Sequence, residues 1–242
     1  MDILILGHKG MLGHMLMLYL TDQKHSVHII NHRYPSEEFK QEILNFTGDY
    51  IINCIGAIPQ KTSDFNINFE LPIWLDSIAK CKIIHPGTDC EMDNDMYGIS
   101  KRKASDYIKS YGTRTKIIKT SIIGPELNSK DSLFEWFINS SKEVHGHTNA
   151  MWNGNTTYEW SKFCNRLILN WDNYDIETIL YGECISKYNL LVKIGLVFNK
   201  KIIILPIEKG INKCLKGHIH TPNMDIQLME LKKYYYDNRR IS

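Results

Sequence analysis

Tyr97 and Lys101 stand four residues apart in Tyr97-Gly98-Ile99-Ser100-Lys101, with Thr88 upstream. On a helix this spacing puts both side chains on one face, about 5–6 Å apart at Cβ. Phenol, ammonium and hydroxyl together suit proton transfer to a carbonyl oxygen while a hydride arrives from a reduced nicotinamide. A phenol of ordinary pKa, about 10, releases its proton reluctantly at neutral pH. An ammonium at about 4 Å would favour the phenolate by up to roughly 4 kcal/mol at an effective dielectric of 20, drawing the phenol toward a working range. Thr88 would hold the same carbonyl oxygen and stabilise its charge. The plainer alternatives are a hydroxyl turn at a strand end for Thr88 and a solvated helix cation for Lys101. Tyr158 and Lys162 share the spacing, but they lie beyond the fifth expected strand, outside the sheet edge where such chemistry is placed, and read as structural.

The elements that must position these groups follow from apolar patterning. Short, nearly continuous apolar runs alternate with segments of helical periodicity, the sequence form of repeated βα units feeding a doubly wound parallel sheet of the Rossmann type. Strands are expected at Asp2–Leu6, Ser26–Ile30, Tyr50–Ile55, Lys82–His85 and Thr115–Thr120, and helices at Met11–Leu20, Ser36–Leu44, Phe69–Lys80 and Asp95–Tyr111. After Gly124-Pro125 the pattern loosens: helices are expected at Ser132–Ser141, Thr156–Leu169, Ser186–Phe198 and Met224–Tyr236, strands at Thr178–Tyr181 and Lys201–Leu205, and a polar loop at Gly146–Asn155. The expected division is a nucleotide-binding core over residues 1–124, with 156–184 returning to it, and a smaller discontinuous substrate lobe over 125–155 and 185–242.

Where the first strand meets the first helix stands Gly7-His8-Lys9-Gly10-Met11-Leu12-Gly13. Glycines in such a turn permit positive φ, let the backbone approach a pyrophosphate and allow close helix–strand packing, while the helix N-terminus offers unpaired N–H groups. A glycine-rich turn with no ligand is the plain alternative, and the strand–turn–helix context favours a dinucleotide. Cofactor choice is set at the end of the second strand, where an acid holds a ribose hydroxyl and an arginine accepts a 2′-phosphate. Arg33 stands there, with Lys9 as a second cation, so NADPH is expected ahead of NADH; Glu37 and Glu38 are the competing acids.

Composition narrows the remaining classes. The 242 residues are 43% hydrophobic and 23% charged, too apolar for a disordered chain. A net charge of +2, without a dense basic block, argues against nucleic acid as the partner. No apolar run reaches the roughly 18 residues of a membrane span, and the N-terminus lacks a basic leader, so a cytoplasmic protein is expected. The six cysteines, Cys54, Cys81, Cys90, Cys164, Cys184 and Cys214, form no CxxC pair and read as free thiols in a reducing compartment. His145-x-His147 and His218-x-His220 lack a Cys or carboxylate at ligand spacing, so no metal is expected.

Together, Gly7–Gly13, Asn53-Cys54-Ile55-Gly56, Gly87-Thr88-Asp89 and Tyr97-x-x-x-Lys101 resemble the extended short-chain dehydrogenase/reductases, whose own glycine spacing is GxxGxxG, and most closely their dTDP-4-dehydrorhamnose reductase group. Lys119–Leu127, Ser132–Phe137 and Thr148–Gly154 resemble that group's sugar-nucleotide branch, some members of which reduce UDP-2-acetamido-2,6-dideoxy-hexos-4-ulose. The resemblance implies NADPH-dependent reduction of a nucleotide-linked 4-keto-6-deoxy sugar for deoxysugar and polysaccharide synthesis. Tyr97 would be the general acid, Lys101 would also hold the nicotinamide ribose, and Thr88 would bond the substrate carbonyl. Cys54, Ile55 and Gly56 would join the glycine loop in holding cofactor, and Cys90, Asn149 and Trp152 would line the substrate; Trp152 alternatively only packs its lobe. It further implies a homodimer through Phe69–Lys80 and Asp95–Tyr111, although the chain's own core explains those apolar faces equally.

Two departures from the family stand out. Only Asp89–Met96 separates Thr88 from Tyr97, where the family has a longer covering loop, and Gly87 replaces its usual Ser or Thr. Cys90 matches the catalytic thiol of related epimerase-reductases, which gives one alternative function; a catalytically silent NADP(H)-binding regulatory subunit is the other.

Overall fold

A computed structural model describes residues 1–237; residues 238–242, the end of the expected substrate lobe, lie outside the described residues. In chain order the strands are β1 (Asp2–Leu6), β2 (Ser26–Ile29), β3 (Tyr50–Asn53), β4 (Lys82–Gly87), β5 (Thr115–Lys119), β6 (Ile122–Ile123), β7 (Val144–His147), β8 (Met151–Trp152), β9 (Asn155–Thr156), β10 (Glu177–Tyr181), β11 (Ile185–Ser186), β12 (Ile204–Ile207) and β13 (Ile219–His220). The helices are α1 (Met11–Asp22), α2 (Glu37–Asn45), α3 (Ile67–Ile78), α4 (Met96–Tyr111), α5 (Leu133–Asn139), α6 (Thr157–Leu169), α7 (Lys187–Val197) and α8 (Met224–Leu231).

Two compact units form. The first holds Met1–Lys119 and Phe163–Thr178, and the second holds Thr120–Lys162 and the chain from Ile179 onward. In the first unit β2, β1, β3, β4 and β5 lie side by side and parallel, with β10 beyond β5. The chain moves outward from β1 to β2, then crosses back to place β3 on the other side of β1. That reversal opens a crevice at the carboxyl ends of β1 and β3, the usual ligand position of such sheets.

Burial on both faces explains the apolar strands: Ile3, Ile5, Leu6, Ile52, Ile84, Ile117 and Ile118 are each fully buried. Phe39, Ile43, Leu71 and Leu75 of α2 and α3 pack with Leu4, Ile51 and Ile83 in one core cluster. Helix starts follow capping chemistry: the Ser36 side chain accepts from the Phe39 N–H before α2, and Asp95 accepts from the Gly98 N–H before α4.

In the second unit β7 and β12 pair in parallel, β8 and β11 antiparallel, and β6 with β9 in parallel, while the far half of β10 pairs with β13. The loop expected over Gly146–Asn155 therefore contains the second half of β7 and all of β8. Val144-His145-Gly146-His147 has little strand propensity of its own; hydrogen bonds to Ile204–Ile207 create the strand. Gly146 is required there, because a Cβ would fall 2.9 Å from the Tyr188 Cα. The last expected helix runs regularly to Leu231 and continues as a π-helical turn, Lys232–Asp237.

The cysteines need one correction. Cys54, Cys81, Cys90 and Cys164 form no disulfide, but Cys184 and Cys214 are joined in one with Cα atoms 5.8 Å apart. They lie 30 residues apart in sequence, a separation that carries no pairing signal before the fold is formed. Among the described residues no helix is long and apolar enough to cross a membrane, and no cluster of three or more His, Cys, Asp or Glu is arranged to hold a metal ion.

Candidate active site

The glycine loop is built as the spacing predicts. Gly7 has φ +77°, and a Cβ there would meet the Cys54 carbonyl oxygen at 2.8 Å, so the turn after β1 lies directly against the segment after β3. Gly13 is tighter: its Cβ would lie 2.2 Å from the Gly7 oxygen, which fixes how closely α1 approaches the turn. The Gly7 carbonyl accepts from the Gly10 N–H at 2.9 Å. Gly10 caps α1 without a side-chain hydrogen bond, and no acid stands in the first turn. Uncapped amides at a positive helix end, reached by a backbone without side chains, fit a pyrophosphate. Lys9 is exposed in this loop, and burial followed by the neighbouring Lys9 charge lowers the pKa of His8. Arg33, beyond β2, is also exposed.

Cys54-Ile55-Gly56, the second segment expected to hold cofactor, hangs from two buried asparagines: Asn53, which belongs to the motif quoted above, and Asn68, which sequence reasoning missed. Asn53 accepts from the Ile55 N–H at 3.1 Å, and the Cys54 N–H donates to Leu6 of β1. Asn68, from α3, accepts from the Ala57 N–H at 2.7 Å and donates to the Ala57 carbonyl and to Ser100 Oγ. Ser100 donates in turn to the Tyr97 carbonyl at 2.7 Å. One side chain thus ties the segment after β3 to the first turn of α4. An isolated Asn inside a helical pattern gives no sign of this, since its partners lie 11 and 32 residues away.

Thr88, Tyr97 and Lys101 come together. The Thr88 hydroxyl lies close enough to the Tyr97 phenol to favour its ionised form. The same hydroxyl donates to Asp89 at 3.0 Å and accepts from the Cys90 N–H at 3.2 Å. Lys101 is 7% exposed and donates to the Pro86 carbonyl at 3.0 Å. The Tyr97 ring stacks edge-on against Phe65, with centroids 5.7 Å apart.

The electrostatics differ from the sequence expectation. Burial pushes the Tyr97 phenol well up, Cys90 and Asp89 push it further, and the nearby Thr88 hydroxyl is what opposes them. Lys101 does not lower it as expected, because its ammonium is directed to the Pro86 carbonyl and is itself destabilised by burial. The Lys101 pKa is lowered, with Glu91 the strongest opposing influence. A phenol held up in this way keeps its proton across neutral pH, as a proton donor must.

The short segment between Thr88 and Tyr97 is ordered as a 3₁₀ turn, Asp89–Met92. Gly98 lets the turn rest on α4, since a Cβ there would lie 2.3 Å from the Cys90 carbonyl. Arg102 Nη1 donates to the carbonyls of Glu91 and Asp93 at 2.8 and 3.2 Å. Cys90 Sγ lies 3.7 Å from Asp89 Oδ1. In the second unit Asn149 is exposed, whereas Trp152 is 4% exposed with its ring against Gly154. Tyr158 and Lys162 occupy that unit too, Lys162 pairing with Glu159 and Glu230.

No family model and no curated protein matches the chain. Solved structures do share its fold. A dTDP-4-dehydrorhamnose reductase from Bacillus anthracis, in complex with NADP, is 16% identical with a TM-score of 0.72, over 96% of this chain and 99% of that one. A hypothetical dTDP-4-dehydrorhamnose reductase from Sulfolobus tokodaii is 18% identical with a TM-score of 0.69, over 93% and 98%. A GDP-mannoheptose C4 reductase from Campylobacter jejuni, with NADP bound, is 11% identical with a TM-score of 0.68, over 97% and 98%. The α/β fold expected from the motifs is therefore the fold found, and its solved neighbours include the group the motifs resemble.

Proposed function

We propose that a chain of this fold, with Thr88, Tyr97 and Lys101 gathered at the carboxyl edge of its sheet, is an extended short-chain dehydrogenase/reductase. It reduces the 4-keto group of a nucleotide-linked 6-deoxy sugar, for deoxysugar and polysaccharide synthesis in the cytoplasm. A UDP-2-acetamido-2,6-dideoxy-hexos-4-ulose is the substrate to try first. The observation that carries the reading is a Thr88 hydroxyl close to the Tyr97 phenol, with a buried Lys101 one turn further along the same helix.

Bound NADPH supplies the hydride. Gly7–Gly13 hold its pyrophosphate, Arg33 and Lys9 its 2′-phosphate, and Cys54-Ile55-Gly56 its inner edge. Tyr97 gives its proton to the carbonyl oxygen, Thr88 orients that oxygen, and Lys101 balances the phenolate left behind while holding the nicotinamide ribose. Cys90 contacts the sugar; Asn149 contributes to sugar-nucleotide binding within its own unit, where Trp152 supports it. In the second unit a cavity of about 640 Å³, lined by Trp136, Lys142, His145, His147 and Lys187 among others, supports binding of a large anionic ligand such as a nucleoside diphosphate. A homodimer would pair α3 and α4.

The test mixes purified protein with NADPH and the UDP-linked 4-keto-6-deoxy sugar and follows loss of reduced-cofactor absorbance. Tight NADPH binding without turnover on any such sugar would replace this reading with a nucleotide-binding subunit. Cofactor choice gives a separate prediction: Arg33→Ala weakens NADPH by about tenfold or more, the scale of one lost charge-assisted contact, and leaves NADH nearly unchanged in fluorescence titrations. Equal weakening of both would remove Arg33 from the 2′-phosphate.

A further inference from the structure

The expectation of thiols in a reducing compartment fails at one place, where Cys184 and Cys214 are joined. Between them runs Ala150–Asn153 of the second unit, held by two neighbouring segments. In the first, β11 pairs with β8, the Gly182 N–H donates to the Asn153 carbonyl and the Lys187 N–H to the Ala150 carbonyl, both at 2.9 Å. In the second, the Ile211 carbonyl accepts from the Met151 N–H at 3.1 Å, and the Lys213 N–H donates to the Met151 carbonyl at 3.0 Å. Leu215 completes that side: its carbonyl accepts from Asn153 Nδ2 and its N–H donates to Asn153 Oδ1, both at 2.8 Å. Cys184 belongs to the first segment and Cys214 to the second, so one covalent bond clasps both holders of the stretch that carries Trp152 and follows Asn149.

The second segment has little else to keep it in place. Residues 208–218, between β12 and β13, form neither helix nor strand, and residues 208–212 are all exposed. Of its two large apolar side chains Leu215 is buried, whereas Ile211 is 63% exposed. Its backbone passes close over the stretch it covers, since a Cβ on Gly210 would lie 2.4 Å from the Ala150 Cβ. A segment tied by a few backbone hydrogen bonds and one buried side chain opens at low free energy, and a cross-link removes much of the open ensemble. Asn212 Oδ1 accepts from the Cys214 N–H at 2.9 Å and lies 4.0 Å from Cys184 Sγ, a turn that presents Cys214 to its partner. Cys184 is exposed, within reach of small thiols. Disulfides of reducing compartments are mostly transient and redox-sensing, and exposed ones exchange most readily.

We propose that the Cys184–Cys214 pair is a reversible redox clasp: joined, it holds residues 208–218 as a strap on Ala150–Asn153 and tightens binding of the sugar nucleotide, and reduced, it releases the strap. The consequence for substrate rests on the proposed function; the exchange and the release of the strap do not. The co-reactant is a small thiol of the glutathione class. One thiolate attacks the exposed Cys184 sulfur, forming a mixed disulfide and expelling the Cys214 sulfur as a thiolate. A second thiolate attacks the small-molecule sulfur of that mixed disulfide and releases Cys184 as a thiolate. In sum the protein disulfide takes up two electrons and the two protons of the small thiols to become two cysteine thiols, while the two small thiols are oxidised to one disulfide. The same steps in reverse close the clasp.

The experiment equilibrates the full chain in mixtures of reduced and oxidised glutathione, traps thiols by alkylation and reads each cysteine by mass spectrometry. Cys184 and Cys214 are expected to change together and reversibly. Hydrogen exchange at the Lys213 and Leu215 amides speeds up about tenfold or more on reduction, while the amides of β1 and β3 keep their rates. In turnover assays reduction raises the KM for the UDP-linked 4-keto-6-deoxy sugar about threefold or more and leaves that for NADPH within about twofold. The double variant Cys184→Ser, Cys214→Ser behaves as the reduced parent in every mixture; if it does not fold, the reduced parent itself supplies the comparison. A pair that stays unjoined in oxidised glutathione, resists excess reduced glutathione or opens without faster exchange overturns the inference. So does a double variant that still responds to glutathione, or an unmoved sugar-nucleotide KM in a protein that turns over. If neither form reduces a ketone and exchange at Lys213 and Leu215 still follows glutathione, the proposed activity fails and the clasp stands.

Discussion

Replacing Tyr97 by Phe is expected to cut ketone reduction by about 100- to 10,000-fold, the range for loss of a positioned general acid, while NADPH binding changes by less than about twofold. The ring keeps its edge-on contact with Phe65 and only the phenol is lost, so fold and cofactor affinity serve as internal controls. On the proposed function, the parent protein should also lose activity as pH rises, starting below the ordinary lysine range. The Lys101 pKa is lowered by burial, so the cation that must balance the phenolate disappears earlier than it would on the surface. The phenol, raised by burial, stays protonated through that window and does not set the limb. Stopped-flow measurement of NADPH oxidation with a 4-keto-6-deoxy nucleotide sugar checks both points. Retention of more than about a tenth of the parent rate in Tyr97→Phe would assign the proton to another donor.

The second large effect belongs to the glycine loop. Gly13→Val is expected to weaken NADPH by about 100-fold or more and to destabilise the first unit by about 1–3 kcal/mol, the usual cost of forcing volume into a packed contact. The branched side chain would begin 2.2 Å from the Gly7 oxygen and 3.0 Å from the His8 Cα, so α1 must move off the turn and carry its N-terminal amides with it. Gly10→Ala is the contrast. Its Cβ meets the Gly7 oxygen at 3.3 Å, a contact a few tenths of an ångström of adjustment relieves. Fluorescence titration with NADPH and thermal melts rank the two. Equal effects at Gly10 and Gly13 would mean that the loop does not hold the cofactor through this packing.

Much of the site was legible before folding because its chemistry is local. Gly7, Gly10 and Gly13 are constrained by a turn within seven residues, and Tyr97 and Lys101 by the pitch of one helix. Local rules of this kind survive any tertiary context that keeps the strand–turn–helix order. The helix ends were legible for the same reason: Ser36, Asp95, Ser132 and Ser186 each cap the helix that follows with their own side chain.

What remained hidden depends on partners far along the chain. Asn68 reads as an interior helical residue until α3 is laid beside α4 and the Ala57 segment. Gly146-His147, at the start of the expected loop, reads as loop until Pro206-Ile207 arrives to pair with it, and Cys184 has no reason to choose Cys214 until the second unit forms. The charge state of the site belongs to the same class. Spacing placed Lys101 near Tyr97 and suggested that it would acidify the phenol; burial reversed the sign, since desolvation disfavours both ions and the ammonium found the Pro86 carbonyl instead.

The sequence by itself determined which residue types occupy the turn, the crevice and the helix face, because backbone sterics and helical periodicity act over a few residues. The tertiary structure alone decided the electric environment those residues work in, and that Glu91 lies beneath Thr88 with Lys119 as its partner. Burial and long-range charge are properties of the packed chain, and they have no counterpart in the order of residues.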